Sequence, residues 1–318
     1  MQRGKILRPI YLRARFLVVI PHRNGPEQIL ATVSAVMAAV GPDDRVVLVD
    51  NASTDDSVSR LLRAFPQVAV LSNQRNRGFA AACNQGASAF DSEFVLFLNS
   101  DALLPQDALI VLEDFLCRHP KAGPLGVRLV GEDGRPQRTT APAPDFWSES
   151  GFRKRVPRQF RDPSFAAPVA TLVGACLAMP RAAFESVGGW DERFFFYQED
   201  VDLSVRMARV GYEVWFLPEL TVIHSKGAAT RTERLPARLE AVRSRFLYIG
   251  KHFPFWQRVV LFPARVISLC LSTLGSVLGL AITLGLHREI RRKAWLSGMS
   301  LLWVLLLMRP RWNLAARA

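Results

Sequence analysis

From Phe16 to about Phe90 the chain alternates short apolar runs with stretches of helical spacing, and the apolar runs end in polar residues. FLVVI (16–20), RVVLVD (45–50) and VAVLS (68–72) read as strands, and PEQILATVSAVMAAV (26–40) and TDDSVSRLLRAF (54–65) read as helices between them. Pro26 after Gly25 suits the start of the first helix. EFVLFLNSD (93–101) is a fourth strand. Strands that alternate with helices imply a parallel α/β sheet, and open sheets of this kind bind ligands beyond the carboxyl ends of their strands. The polar ends here are PHRN (21–24), DNAS (50–53) and NSD (99–101), so a ligand is expected there.

Residues 131–168 change character, with frequent Pro, Arg and Gly and little periodicity, and read as a long surface loop facing a ligand. ATLVGACLAMP (170–180), YEVWFL (212–217) and TVIH (221–224) supply further strands. A basic helical segment begins near Arg231 and leads into two uncharged runs, 266–286 and 294–308. The organisation expected is a basic arm at 1–15, an α/β domain at 16–230 and a helical, basic, membrane-associating region at 231–318.

Charge supports that division. The net +13 lies entirely in residues 226–318, with 16 Lys+Arg against 3 Asp+Glu; residues 1–225 carry 25 of each. A neutral first part argues against a nucleic-acid binder. Basic clusters beside long apolar runs point to an anionic membrane surface. Cys83, Cys117, Cys176 and Cys270 have no metal-ligand or CxxC spacing and suit a reducing compartment. FLVVI is too short for a signal-peptide core, so the N-terminus reads as cytoplasmic.

FFFYQEDVDLSVRM (194–207) sets three carboxylates, Glu199, Asp200 and Asp202, directly behind four aromatics. Helix capping accounts for one of them well and two tolerably, because acids are favoured where unpaired N–H groups meet the positive end of the dipole. It leaves the third unexplained. Ser53 lies three residues before Asp56, the spacing of a capping box. Asp50, an acid at a strand end, is left to bind a nucleobase or ribose. NQRNRGFAAACNQG (73–86) puts Arg75 and Arg77 in a Gly-containing turn before a small-residue helix, suitable for holding phosphate. Asp101, with Asn99 two positions earlier, can hold Mg²⁺ or Mn²⁺ against a diphosphate or be turn chemistry. His224, which ends TVIH, is a structural histidine or a ligand that tilts the preference towards Mn²⁺.

DNASTDDSV, NRGFAAACNQG, LNSDALL and VGACLAMPRAAFESVGGWDERFFFYQEDVDLSVRMARVGYEVWFLPELTVIH together resemble the family 2 glycosyltransferases of the A-type nucleotide-diphospho-sugar fold, in particular the bacterial rhamnosyltransferase-like branch. The resemblance covers roughly residues 16–250. It implies a Rossmann-like, mostly parallel sheet with helices on both faces, and an inverting transfer from a nucleotide-diphospho-sugar to a glycan or polyprenyl-linked acceptor. Asp200 would be the general base, Asp101 the metal-binding acid and His224 the histidine that completes the metal site. Donor binding would fall to Pro21, His22, Asn24, Asp50, Asn51, Arg77, Gly78 and Ser100. The acceptor would meet Trp190, Asp191 and Glu199, and Asp202 would cap the helix.

Two positions depart from the family pattern. Pro21-His22-Arg23-Asn24 stands where Thr-Tyr-Asn is usual, and Asn99 replaces the first acid of the DxD motif. The resemblance leans to dTDP-rhamnose as donor and Mn²⁺ or Mg²⁺ as cofactor. The uncharged runs and their basic flanks, by the positive-inside rule, suggest a place on the cytoplasmic face of a bacterial inner membrane, peripheral or monotopic through residues 255–311. A sugar nucleotidyltransferase would need a Gly-rich loop after the first strand, which PHRNGPEQ is not. A non-catalytic sugar-nucleotide binder is the other alternative, and the Glu199–Asp200 pair opposes it.

Overall fold

The computed structural model describes residues 14–154, 156, 160–225, 234–283 and 287–305. The basic arm therefore lies outside the described residues except for Ala14 and Arg15, which already belong to strand β1 (Ala14–His22). Arg15 pairs with Glu93 and Glu113 and so pins the start of that strand.

The order then follows the sequence reading: α1 (Pro26–Ala39), β2 (Arg45–Asp50), α2 (Ser57–Ala64), β3 (Ala69–Ser72), α3 (Phe79–Ala87), β4 (Ser92–Leu98), β5 (Ala102–Leu103), α4 (Ala108–Arg118) and β6 (Ala122–Val130). The segment expected to be a loop carries β7 (Pro136–Gln137), β8 (Thr140–Ala141), α5 (Phe146–Ser150) and β9 (Ala167–Pro168). It is organised by polar contacts rather than periodic apolar residues: the Asp162 carboxylate accepts from the backbone N–H groups of Thr139 and Thr140, each at 2.8 Å. Then come β10 (Thr171–Leu172), β11 (Cys176–Pro180), α6 (Arg181–Ser186), α7 (Glu199–Arg209) and β12 (Glu213–His224). YEVWFL and TVIH are thus one strand, interrupted by a register shift between Leu217 and Thr221. Three long helices follow, α8 (Arg234–His252), α9 (Phe255–Ile282) and α10 (Arg288–Leu305).

The main sheet runs β3-β2-β1-β4-β11-β6-β12-β5. β1 pairs in parallel with β2 and β4, β2 with β3, and β12 with β6, while β11 runs antiparallel to both its neighbours. Alternate residues of β1 face opposite sides, as the period of a strand requires. Phe16, Val18 and Ile20 pack with Ile29, Val33 and Val36 of α1 and Leu112 of α4. Leu17 and Val19 pack with Ala80 and Cys83 of α3 and Leu203 and Met207 of α7. Helices therefore cover both faces, the mostly parallel arrangement expected.

Local chemistry explains two of the helices. In α1 the buried positions Ile29, Thr32, Val33 and Val36 recur at helical spacing behind Pro26. In α3 the residues are small because the helix lies almost on the sheet: a Cβ at Gly86 would sit 2.4 Å from a Val19 methyl. Helix α8 is part of the folded body rather than a tether, since its Tyr248 packs with Phe194 and Val201 beside the start of α7.

Candidate active site

The carboxyl ends of β1, β2 and β4 lie side by side. His22 is in register with Asp50, and the Asn51 N–H donates to the His22 carbonyl at 2.8 Å. Asp50 is buried, and its Oδ1 accepts from the Ser53 N–H at 3.0 Å and the Ser53 hydroxyl at 2.5 Å. Ser53 is consequently not a helix cap. α2 starts at Ser57 behind Asp56, whose side chain makes no capping bond, and the Ser53 hydroxyl also accepts from the Asn24 N–H at 2.9 Å. Asn24 takes a positive φ of 59° and accepts from the Thr54 N–H at 2.8 Å. The PHRN and DNAS loops are thereby tied together.

Among the donor residues read from the sequence, Pro21, His22 and Gly78 are buried. The His22 ring is 2 % exposed, Nε2 lies 2.9 Å from the Ser57 hydroxyl, and burial holds its pKa below the ordinary histidine value. Asn51 is buried too, and its Nδ2 donates to the Gly78 carbonyl at 3.0 Å while its Oδ1 accepts from Asn73 at 3.1 Å. His22 and Asn51 thus brace the loops, whereas Arg77 reaches the surface 3.7 Å from Glu192. Gly78 has φ 87°, and a Cβ there would lie 2.6 Å from the Phe195 carbonyl, which accepts from the Phe79 N–H at 2.9 Å. The Arg77–Gly78 turn is in this way pressed onto the aromatic run ahead of α7. The Ser100 carbonyl accepts from the Thr32 hydroxyl at 3.0 Å, fixing β4's end to α1.

At that end, Asp101 Oδ1 lies 3.4 Å from His224 Nε2, and Asn99 Nδ2 lies 3.3 Å from the same nitrogen. Gln137, from the expected loop, donates to the His224 carbonyl at 2.6 Å, so its Oε1 faces His224 Nδ1 at 3.1 Å and must accept. Nδ1 therefore carries a proton, and in the neutral ring Nε2 points its lone pair at the Asn99–Asp101 corner. Sequence reasoning missed Gln137, which carries no motif.

The opening of α7 adjoins this corner. The Asn99 N–H donates to the Ala175 carbonyl at 2.9 Å, and the neighbouring Gly174 N–H donates to Asp200 Oδ2 at 3.1 Å. Asp200 Oδ1 accepts from the Val201 N–H at 2.7 Å. Glu199 is buried, and its Oε2 has no hydrogen-bond partner. Burial, then the neighbouring Asp200, push its carboxyl well above the usual range. Tyr197 and Gln198, just before the helix, both have positive φ, 70° and 67°. Such backbone is costly for residues with side chains and is concentrated at functional sites.

Of the residues expected to meet the acceptor, Trp190 and Asp191 are largely buried. Trp190 is 2 % exposed and packs edge-on against Phe79 and Phe97, and Asn84 of α3 bonds its backbone at both N and O. Asp191 Oδ2 lies 2.6 Å from both Arg193 and Lys251 of α8. Burial alone would raise its pKa, but the hydrogen bonds from Arg193 and Lys251 outweigh burial and hold it below the usual range.

Asp202 does not cap α7. The helix begins behind Gln198, whose side chain makes no capping bond, and Asp202 is fully buried. Its Oδ1 lies 2.6 Å from Lys251 and 2.7 Å from His252, and its Oδ2 accepts from Arg206 at 2.7 Å. Burial raises the Asp202 pKa, the bonds from His252, Lys251 and Arg206 lower it, and the balance is below the ordinary value. Lys251 and His252 lie about fifty positions downstream, out of reach of any local sequence signal.

A strand-end acid and histidine thus adjoin a paired carboxylate at a helix start. Residues 17–188 match the glycosyl transferase family 2 model, and residues 154–234 match a model described as the N-terminal domain of galactosyltransferase. The chain is 30 % identical over 269 residues to an N-acetylglucosaminyl-diphospho-decaprenol L-rhamnosyltransferase of Mycobacterium tuberculosis, covering 76 % of this chain and 86 % of that protein. It is 24 % identical to the O-antigen chain rhamnosyltransferase WbaN of Salmonella anatum, covering 69 % and 68 %. The mannosyltransferase PcManGT of Pyrobaculum calidifontis, solved with GDP-Man and Mn²⁺, superposes with a TM-score of 0.55 over 92 % of this chain and 88 % of that one; at 19 % identity the likeness is one of fold. Fold, site and matched residues agree that the chain belongs to glycosyl transferase family 2.

Proposed function

We propose that this glycosyltransferase moves rhamnose, with inversion, from dTDP-rhamnose to a hydroxyl of a polyprenyl-diphosphate-linked glycan in the assembly of bacterial surface polysaccharide or cell wall. The similarity to the mycobacterial rhamnosyltransferase, which covers most of both chains, supports the donor and the class of acceptor. The observation that carries the mechanism is the short backbone link between the two corners: Asn99 bonds Ala175, and Gly174 bonds Asp200.

A sugar hydroxyl is a poor nucleophile. Asp200, held by two backbone N–H groups, accepts its proton as the new bond to the anomeric carbon forms and the bond from that carbon to the diphosphate oxygen breaks. Burial and the neighbouring Asp200 push the Glu199 carboxyl up, which disfavours a second negative charge beside the base. One base and one displacement give inversion without a covalent intermediate. Asp50 and the Arg77–Gly78 turn hold the nucleotide and its phosphates.

The donor set at β4's end fits a divalent cation. Asp101 offers a hard oxygen and His224 a lone pair oriented by Gln137, and a diphosphate has oxygens for further positions. The imidazole favours Mn²⁺ over Mg²⁺. Such a cation supplies positive charge to the departing diphosphate. Among the described residues there is no group of three or more His, Cys, Asp and Glu that could hold a metal; a cation held by Asp101 and His224 would take further ligands from the donor's diphosphate.

The charge-free runs and basic flanks support attachment to the cytoplasmic face of the inner membrane. α9 is long and apolar enough to cross a bilayer. A crossing would, however, carry Arg288, Arg291, Arg292 and Lys293 outside, against the positive-inside rule. A surface-lying hairpin of α9 and α10 satisfies both the apolar face and the charges.

The test is Asp200→Asn, which keeps shape but cannot take the proton. Transfer from dTDP-rhamnose should fall by on the order of 10²–10⁴ with donor affinity nearly unchanged. A variant that retains more than about a third of kcat would return Asp200 to a structural role.

A further inference from the structure

The α5 segment of the catalytic domain turns an unusual number of rings to the outside. Trp147 is 58 % exposed and Phe152 83 %, and at the start of α9 Phe255 is 74 % and Trp256 64 % exposed. These rings form a chain: Phe152 to Trp147 at 6.3 Å between centroids, Trp147 to Phe146 at 5.3 Å, and Phe146 to Trp256 at 6.2 Å. The chain joins two parts of the sequence more than a hundred residues apart.

What holds α5 there is a buried charge cluster. Glu149, next to the exposed rings, is 2 % exposed. It accepts from Arg245 of α8 at 2.7 and 3.1 Å and lies 3.6 Å from Arg265 of α9, while Arg265 also donates to the Ser148 carbonyl at 2.9 Å. A buried carboxylate between two arginines fixes position more than it adds stability. The Asp145 carboxylate caps the first turn of α5 through the Ser148 N–H and pairs with Arg153. The exposed rings are therefore carried on a braced element.

We propose that this face of the catalytic domain, led by Trp147 and Phe152, enters the headgroup layer of a lipid bilayer beside Phe255 and Trp256, so that the domain itself stands on the membrane in one orientation. The inference rests on the membrane attachment proposed above and extends it from α9 to the catalytic body.

Three observations select a bilayer over a protein surface. The ring chain runs into one exposed stripe of α9, including Val260, Ile267, Leu271, Leu274, Leu278 and Ile282. From Val260 to Ile282 that stripe is about 33 Å long at about 1.5 Å per residue, far beyond a pocket for a side chain or peptide anchor. Its composition suits a bilayer surface, with Trp and Phe as interface anchors at the domain end and aliphatic residues along the rest as the apolar face of a helix lying on the membrane. The charges beside the rings suit anionic headgroups: Arg153 and Lys154 are exposed behind Phe152, and Arg258 lies 6.0 Å from the Phe255 ring.

The experiment uses the full chain with Cys117→Ser and Cys270→Ser, placed on vesicles of phosphatidylcholine and phosphatidylglycerol. Nitroxide labels go at single cysteines replacing Trp147, Phe152, Leu271 or Ile110, the last an exposed residue of α4. Accessibility to oxygen is compared with accessibility to a water-soluble nickel complex. Labels at 147, 152 and 271 should favour oxygen several-fold over the label at 110. Lipid contact at 271 with water at 147 and 152 would overturn the inference and leave the attachment of α9 standing. Water at all positions would remove both. As a check that does not depend on labelling, brominated lipid should quench the native tryptophans of wild type more than those of Trp147→Phe; equal quenching would again overturn the inference.

Discussion

Asp202→Asn should weaken the protein far more than its place in a solvent-facing acidic motif suggests. The wild-type carboxylate is fully buried among Arg206, Lys251 and His252, all within 2.7 Å. Removing one partner of a buried ion pair costs about 3–5 kcal/mol, mostly the penalty of the charges left behind. The lower end applies, because Lys251 keeps Asp191 at 2.6 Å, Arg206 keeps the Val187 carbonyl at 2.8 Å, and the two side chains are 18 % and 15 % exposed. About 3 kcal/mol corresponds to a fall in Tm of about 4–5 °C at this chain length, from an unfolding entropy of about 2.1 cal/mol/K per residue. Thermal unfolding in one detergent, followed by circular dichroism, measures it. The Asp202 pKa is depressed in the fold, so its stabilisation is present above the unfolded value of about 3.9 and is lost as pH falls through the folded value. The gap between wild type and variant should close over that acid range. Lys251→Met in the Asp202→Asn background should cost less than it does alone, since the two share one contact. A Tm change under about 2 °C at pH 7, or full additivity of the pair, would refute the account of Asp202 as the centre of the α7–α8 joint.

Chelation should stop transfer and added Mn²⁺ or Mg²⁺ should restore it, and Asp101→Ala should also weaken donor binding by calorimetry; full activity in excess chelator would remove the metal. Glu199 has a raised pKa, so the stability it contributes is fully present below the unfolded value of about 4.3 and is lost as pH rises through the folded one. Glu199→Gln should therefore become progressively more stable than wild type as pH climbs through that interval, and parallel Tm curves would contradict this. A single cysteine at Arg291 in intact cells should resist a membrane-impermeant thiol reagent until the cells are opened; labelling from outside would mean that α9 crosses the bilayer.

What local sequence determines here is the sheet and its edge. Periodicity and the Gly–Pro start of α1 marked the first strands and helices because those segments bury their apolar residues at the spacing of their own backbone. The polar ends of β1, β2 and β4 were legible for the same reason: a parallel sheet leaves its carboxyl ends as the open edge. The roles of the charged residues were not legible, because a carboxylate's role depends on what tertiary packing brings to it. Asp202 reads as a cap from its neighbours in sequence, but Lys251 and His252 arrive from α8 and turn it into a buried hub. Gln137, in a segment without periodicity, becomes the partner that orients His224, and Glu149 becomes the pin between α5 and two later helices. Hydrophobic spacing is written along the chain, whereas the partner of a buried charge is chosen only when distant segments close on it.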